Sequence, residues 1–263
     1  MSQQKSLIIA NWKMKLGLNQ ALDLAKSLKA VEALGKEIVI CPSFASLFPV
    51  SQVLKNTELK LGAQDIFWEA SGAYTGEVSA SELRDVGCQF VIIGHSERRK
   101  YLGETDEIVH KKVKAALAAD LVPIICVGET FDQRQAGAAD YVLIQQVTKA
   151  LEGIDLRPDQ PVVVAYEPVW VIGTGQAIDP PQAGHVHQVI RQTLIDLFPL
   201  ELVKNSFRII YGGSVDRSNV SDFTNLENTS GVLVGNASLE AAEFIDLIKN
   251  AWTKFLSINT LPD

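Results

Sequence analysis

The strongest constraint on the fold is a repetition. Eight short apolar runs are spaced along the whole chain: Leu7–Ala10, Ile38–Cys41, Leu59–Ala63, Phe90–Ile93, Val122–Val127, Val162–Tyr166, Arg208–Tyr211 and Val232–Val234. Most are rich in β-branched residues and continuously apolar, as strands buried on both faces are. Between them, apolar residues recur at helical spacing over Leu18–Leu34, Phe44–Leu54, Ile108–Ala119, Tyr141–Leu151, Val186–Phe198 and Leu239–Trp252, whereas residues 66–78 are irregular. Alternating strands and helices predict an α/β protein with a parallel sheet, and eight strands in 263 residues close most naturally as a (β/α)₈ barrel. The rival is an open doubly wound sheet, but no Gly-x-Gly-x-x-Gly follows the first run. No Pro- or Ser-rich linker divides the chain, so residues 1–263 are expected to form a single domain.

A net charge of −7 argues against nucleic acid as a partner, because phosphate backbones reward clustered Lys and Arg. It leaves room for a small anion, which a few backbone N–H groups and one lysine can hold. Cys41, Cys88 and Cys126 are odd in number and far apart, as expected of free thiols in a reducing compartment. Met1 to Ser6 leads into an apolar run too short for a signal peptide or a membrane span, so a cytoplasmic protein is expected.

Barrel active sites lie at the C-terminal ends of the strands. The residues just past the runs are Asn11 and Lys13, Gln64, His95, Glu167, Tyr211-Gly212-Gly213-Ser214, and Gly235-Asn236. Pro168 biases Glu167 toward an extended backbone and cannot donate to a ladder, which leaves the carboxylate at a strand tip. Gly173-Thr174-Gly175 then gives a flexible segment between stiffer flanks, as a lid needs. Asn11 and Lys13 are expected to project to one side with Trp12 opposed; Lys13 is then either a cation for an anionic substrate or a solvated lysine at a strand end.

Of the four histidines, His95 is the one at the end of a run. Ser96 is expected to cap a short helix whose dipole favours a neutral imidazole. His110 falls in one helix, and His185 and His187 are two apart on another, so no metal site is expected. Glu97, Arg98 and Arg99 either support the site or form a surface cluster, with Glu104 as a partner for one arginine. The glycines after the seventh and eighth runs put bare N–H groups where barrels cradle phosphate, although turns also use glycine for steric reasons alone. The loop 66–78, with Phe67, Trp68 and Tyr74, is long enough to be functional and suits an interface unless its aromatics pack back on their own chain.

In these residues the chain resembles the triosephosphate isomerase family. The matching segments are Asn11-Trp12-Lys13, Gly72 to Glu77, Gly94 to Arg99, Ala165 to Trp170 with Ile172 to Gly175, Tyr211 to Val215, and Gly235 to Leu239. They run in family order from end to end, and Gly94 to Arg99 and Tyr166 to Trp170 are the most specific. The resemblance implies a cofactor-free aldose–ketose isomerase that interconverts D-glyceraldehyde 3-phosphate and dihydroxyacetone phosphate through an enediolate, in glycolysis and gluconeogenesis, as a homodimer. It implies Glu167 as base, His95 as neutral electrophile and proton shuttle, Lys13 as electrostatic anchor and Asn11 as an orienting group. Glu97, Ser96 and Tyr211 are implied as support. A lid over residues 168–178 would close on a phosphate held by Gly173, Ser214, Gly235 and Asn236. Thr75, at the tip of the 66–78 loop, corresponds to a residue that reaches the partner's site near Asn11 and His95.

Three positions depart from the family pattern: Asn236 replaces a second glycine, Val171 an alanine and Gln176 a lysine. Asn keeps the backbone donor and tolerates positive φ. Two other functions fit the same residues. A barrel aldolase would use Lys13 as a Schiff-base nucleophile and leave an adduct that borohydride traps. A catalytically silent binding protein would have lost at least one of base, electrophile and cation.

Overall fold

The computed structural model describes residues 5–251; residues 1–4 and 252–263, including Trp252 at the end of the last expected helix, lie outside the described residues. The eight strands are β1 (Leu7–Asn11), β2 (Glu37–Cys41), β3 (Lys60–Ala63), β4 (Phe90–Ile93), β5 (Val122–Val127), β6 (Val162–Tyr166), β7 (Phe207–Tyr211) and β8 (Gly231–Val234). They form a closed parallel barrel in sequence order, sealed where Leu7 to Ala10 of β1 pair with Gly231 to Val234 of β8. Gly231 makes that closure sterically possible. Its φ is +153°, and a Cβ there would lie 1.8 Å from the Leu7 carbonyl oxygen.

Side chains alternate along each strand and so supply two apolar layers. Leu7, Ile9, Val39, Ile92, Ile124 and Val163 belong to a cluster inside the barrel, while Ile8, Ile38, Ile40, Val91, Val162 and Val164 pack outward against the helices. Both faces are therefore buried, which is why the strands read as continuous apolar runs rather than alternating ones. The polar groups that matter can lie only at the strand ends.

The helices differ from expectation mostly at their ends. The first covers Leu18–Leu28, not Leu18–Leu34. Leu34 and Gly35 both take positive φ, so the apolar residues after Leu28 belong to turns. The helix expected from Val186 begins at Pro180, where two prolines follow Asp179 and fit the first helical turn. A helix over Ala80–Val86 was not foreseen, although Ser79 and Glu82 form a capping box that the sequence displays. The 66–78 segment carries no helix or strand, as expected, and Phe67 N–H donates to Val78 O across its base. No described helix is long and apolar enough to cross a membrane.

Candidate active site

Residues from five strand ends, those of β1, β4, β6, β7 and β8, meet in a cleft of about 360 Å³ at the C-terminal mouth of the barrel. Its lining includes Asn11, Lys13, His95, Glu97, Glu167, Gly173, Ser214, Gly235 and Asn236, so most of the expected site residues converge. Ser96 and Tyr211 lie behind this surface. Thr75 is exposed at its loop tip, outside the cleft of its own chain.

Glu167 follows β6 and is 2% exposed. Its N–H still donates to Val127 O at 2.7 Å, so the ladder holds the backbone that carries the carboxylate. Gly128 lies directly against it: a Cβ at 128 would sit 1.7 Å from Glu167 O. Oε2 accepts the Ser96 N–H at 2.8 Å, while Oε1 faces His95 Nε2 at 2.9 Å without a well-directed hydrogen bond. Burial raises the carboxyl pKa, but His95, the Ser96 N–H and Lys13 outweigh it and hold the group below its ordinary value. Glu167 is therefore ionised in a nearly dry site.

His95, not Ser96, caps the helix Ser96–Leu102; Ser96 is the first helical residue. The cap is the imidazole itself, whose Nδ1 accepts the Glu97 N–H at 3.2 Å. That bond needs a lone pair on Nδ1, which leaves the ring proton on Nε2, facing the carboxylate. Burial disfavours the imidazolium, yet the adjoining Glu167 outweighs burial and the His95 pKa is raised. The helix dipole alone therefore does not account for a neutral ring. The Glu97 N–H on Nδ1 opposes a second proton and holds the Nε2–H tautomer.

Lys13 corrects a second expectation. The strand alternation does not extend to it: β1 stops at Asn11, and Lys13 has φ +52°, a left-handed conformation that costs a non-glycine residue roughly 1–2 kcal/mol. The turn is held from both sides. Asn11 Oδ1 accepts the Lys13 N–H at 3.0 Å, and Gln64 Nε2 donates to Lys13 O at 3.0 Å and to Cys41 O at 2.9 Å. The ammonium then meets Glu97 at 2.7 Å. Of the neighbouring charges, Arg98 bonds Asp65 and lies 3.4 Å from Glu104, as expected for one arginine, while Arg99 bonds Asp106.

Opposite these groups lies a cradle of backbone donors. Among the described residues, the N–H groups of Gly173, Ser214, Gly235 and Asn236 donate to no protein acceptor. Neither Gly235 nor Asn236 takes a positive φ in the range that favours glycine, so the tolerance expected of Asn at 236 is not called upon. Tyr211 stacks on Phe223 with ring centroids 3.9 Å apart, and burial pushes its phenol up to about 12. A Cβ at 213 would lie 2.1 Å from its hydroxyl oxygen, so Tyr211 fixes the floor of the cradle.

Glu129 was missed in the sequence. It is fully buried after β5, and its Oε1 accepts Tyr166 OH at 3.2 Å, Trp170 Nε1 at 2.9 Å and Arg134 Nη1 at 3.2 Å. It thereby anchors the start of the 168–178 segment, in which Val171 is buried and Gln176 is exposed. The only available signal was a Gly-Glu pair past a strand, which is too common to single out. Among the described residues, no group of three or more His, Cys, Asp and Glu is placed to hold a metal ion.

A closed parallel barrel that gathers a buried carboxylate, an imidazole and unpaired backbone N–H groups on its C-terminal rim has the architecture of a (β/α)₈-barrel enzyme. The family model described as "Triosephosphate isomerase" matches residues 6–251. Proteins of that name from Endomicrobium trichonymphae, Chloroherpeton thalassium and Dictyoglomus thermophilum are 47%, 46% and 42% identical to the chain. Each alignment covers 94% of this chain, and respectively 98%, 99% and 100% of the relative. The chain belongs to the triosephosphate isomerase family.

Proposed function

We propose that the cleft interconverts D-glyceraldehyde 3-phosphate and dihydroxyacetone phosphate without a cofactor, with Glu167 and His95 as its acid–base pair. Glu167 removes a proton from the carbon beside the carbonyl, and the electron pair moves to the carbonyl oxygen to give an enediolate. His95 Nε2–H donates to that oxygen and shuttles protons between the two oxygens; Glu167 then returns its proton to the neighbouring carbon. Nothing is oxidised overall, and one proton changes carbon.

The observation that carries this reading is the 2.9 Å approach of Glu167 Oε1 to His95 Nε2, opposite four unused backbone donors. Lys13 supplies positive charge for the substrate and Asn11 orients it. The cradle binds a phosphate that does not react, and those contacts can drive closure of residues 168–178. A positioned base contributes about 10²- to 10⁴-fold. Preorganised donors and the exclusion of water supply much of the remainder. Lys13 Nζ is paired with Glu97 at 2.7 Å, an arrangement that favours an electrostatic anchor over a Schiff-base nucleophile.

The chain acts, in this reading, as a single-domain cytoplasmic enzyme and a homodimer built on the 66–78 loop. Support for the dimer comes from exposed apolar groups beside the site: Met14 is 94% exposed next to Lys13, and Tyr74 is 44% exposed next to Thr75. Phe67 makes tilted ring contacts with both Trp68 and Tyr74, so part of the aromatic cluster also packs on its own loop. Thr75 would enter the partner's cleft, as a two-fold pair allows. A coupled assay of triose phosphate interconversion, run with and without a chelator, tests the activity. Turnover unaffected by chelation is expected, and absence of turnover with either triose phosphate would reject the reading.

A further inference from the structure

The charge of the cleft is unsuited, at first sight, to a phosphate dianion. Three carboxylates line it, Glu97, Glu167 and Asp216, against two lysines, Lys13 and Lys15, in a chain of net charge −7. Two positive and three negative charges leave the lining at −1 with His95 neutral. Lys13 is matched by Glu97 at 2.7 Å. Asp216 stays ionised, because hydrogen bonds from Ser218, in front of those from its other neighbours, hold its pKa below the ordinary value. Among the described residues that line the cleft, Lys15 is the only lysine or arginine without a salt bridge, and it is exposed at the rim.

We propose that Lys15 is the capture cation of this cleft, drawing the phosphate dianion toward the cradle before the lid contacts form. The proposal rests on the phosphate reading above and adds a residue to it. A charge at the rim acts through the field it projects into solvent, which raises the encounter rate with an oppositely charged ligand and is screened by salt. Lys13 serves the bound state. Lys15, uncommitted and outermost, serves the approach.

The test compares the full-length parent with Lys15→Met and Lys15→Arg, measuring kcat and KM from about 10 mM ionic strength, where fields reach about 30 Å, to about 300 mM, where they are largely screened. Lys15→Met is expected to lower kcat/KM about threefold or more at low ionic strength, through KM rather than kcat, with the gap closing as salt rises. Lys15→Arg should restore the parent's salt dependence. Calorimetric binding of inorganic phosphate at low salt should weaken in the Met variant alone. Equal kcat/KM and equal phosphate affinity at low salt would overturn the proposal, and so would a loss that persists unchanged at high salt. If the parent fails to turn over triose phosphates, the isomerase reading falls, while the phosphate-binding comparison still decides the role of Lys15.

Discussion

The Ser96 N–H and the Glu167 carboxylate are joined by a 2.8 Å hydrogen bond, so the helix that His95 caps also holds the base. One short element thus sets the position of both groups of the acid–base pair. Ser96 is the first helical residue, where proline is well accepted, and His95 already has φ −52° and ψ 140°, the extended backbone that precedes a proline. Ser96→Pro should therefore keep the helix but delete the tether. Because that bond lowers the Glu167 pKa, the variant should show a higher carboxyl pKa by ¹³C NMR titration. An unchanged titration would show that the tether has no such role.

Gly128→Ala places a methyl group where the Glu167 carbonyl stands. The end of β6 must move, at a cost of about 1–3 kcal/mol or more. A lowered Tm together with a reduced kcat is expected; a variant as stable and as active as the parent would mean that this approach does not position the base.

At the opposite mouth of the barrel, Glu37 is bound by Arg208 and by Lys60, the latter at 2.5 Å. Burial raises the Glu37 pKa, but Arg208 and Lys60 outweigh it, and the net shift is downward. A depressed carboxyl contributes stability above its unfolded value and loses it as pH falls through the lower folded value. Glu37→Gln should cost about 3–5 kcal/mol at neutral pH, because Arg208 is left buried without its counter-charge. The variant's Tm should also fall less steeply than the parent's in acid below about pH 4. Parallel Tm curves would remove Glu37 from the acid response.

Thr75→Arg puts a long cation at the tip of the 66–78 loop. Sedimentation should show a weakened dimer, and specific activity should fall with the dimer fraction at increasing dilution. A fully active monomer would remove Thr75 from the catalytic account.

The barrel was legible because each strand buries both faces, which leaves eight uninterrupted apolar runs in the sequence. That Glu167, His95, Gly173 and Gly235 line one cleft was legible for the same reason, since each is a polar or small residue at or just past the end of a run. Helix ends were less so. Leu34 continues the helical spacing of Leu18 to Leu28 yet turns at positive φ, and spacing alone carries no backbone sign. The roles of Gln64, Gly128 and Glu129 were hidden because each acts through a residue distant in sequence: Gln64 on Lys13, Gly128 on Glu167, Glu129 on Trp170. Lys13 itself was found for a reason that fails, since it reaches the cleft through a strained turn and not by strand alternation.

The central claim is that Glu167 takes a proton from carbon, and it is tested most directly by hydrogen exchange in deuterated water. With wild-type protein, NMR should show deuterium entering the carbon-bound positions of the triose phosphates as they interconvert. Glu167→Gln should slow that exchange by at least about 10² while inorganic phosphate still binds. Exchange in the Gln variant at the wild-type rate would contradict the assignment of the base.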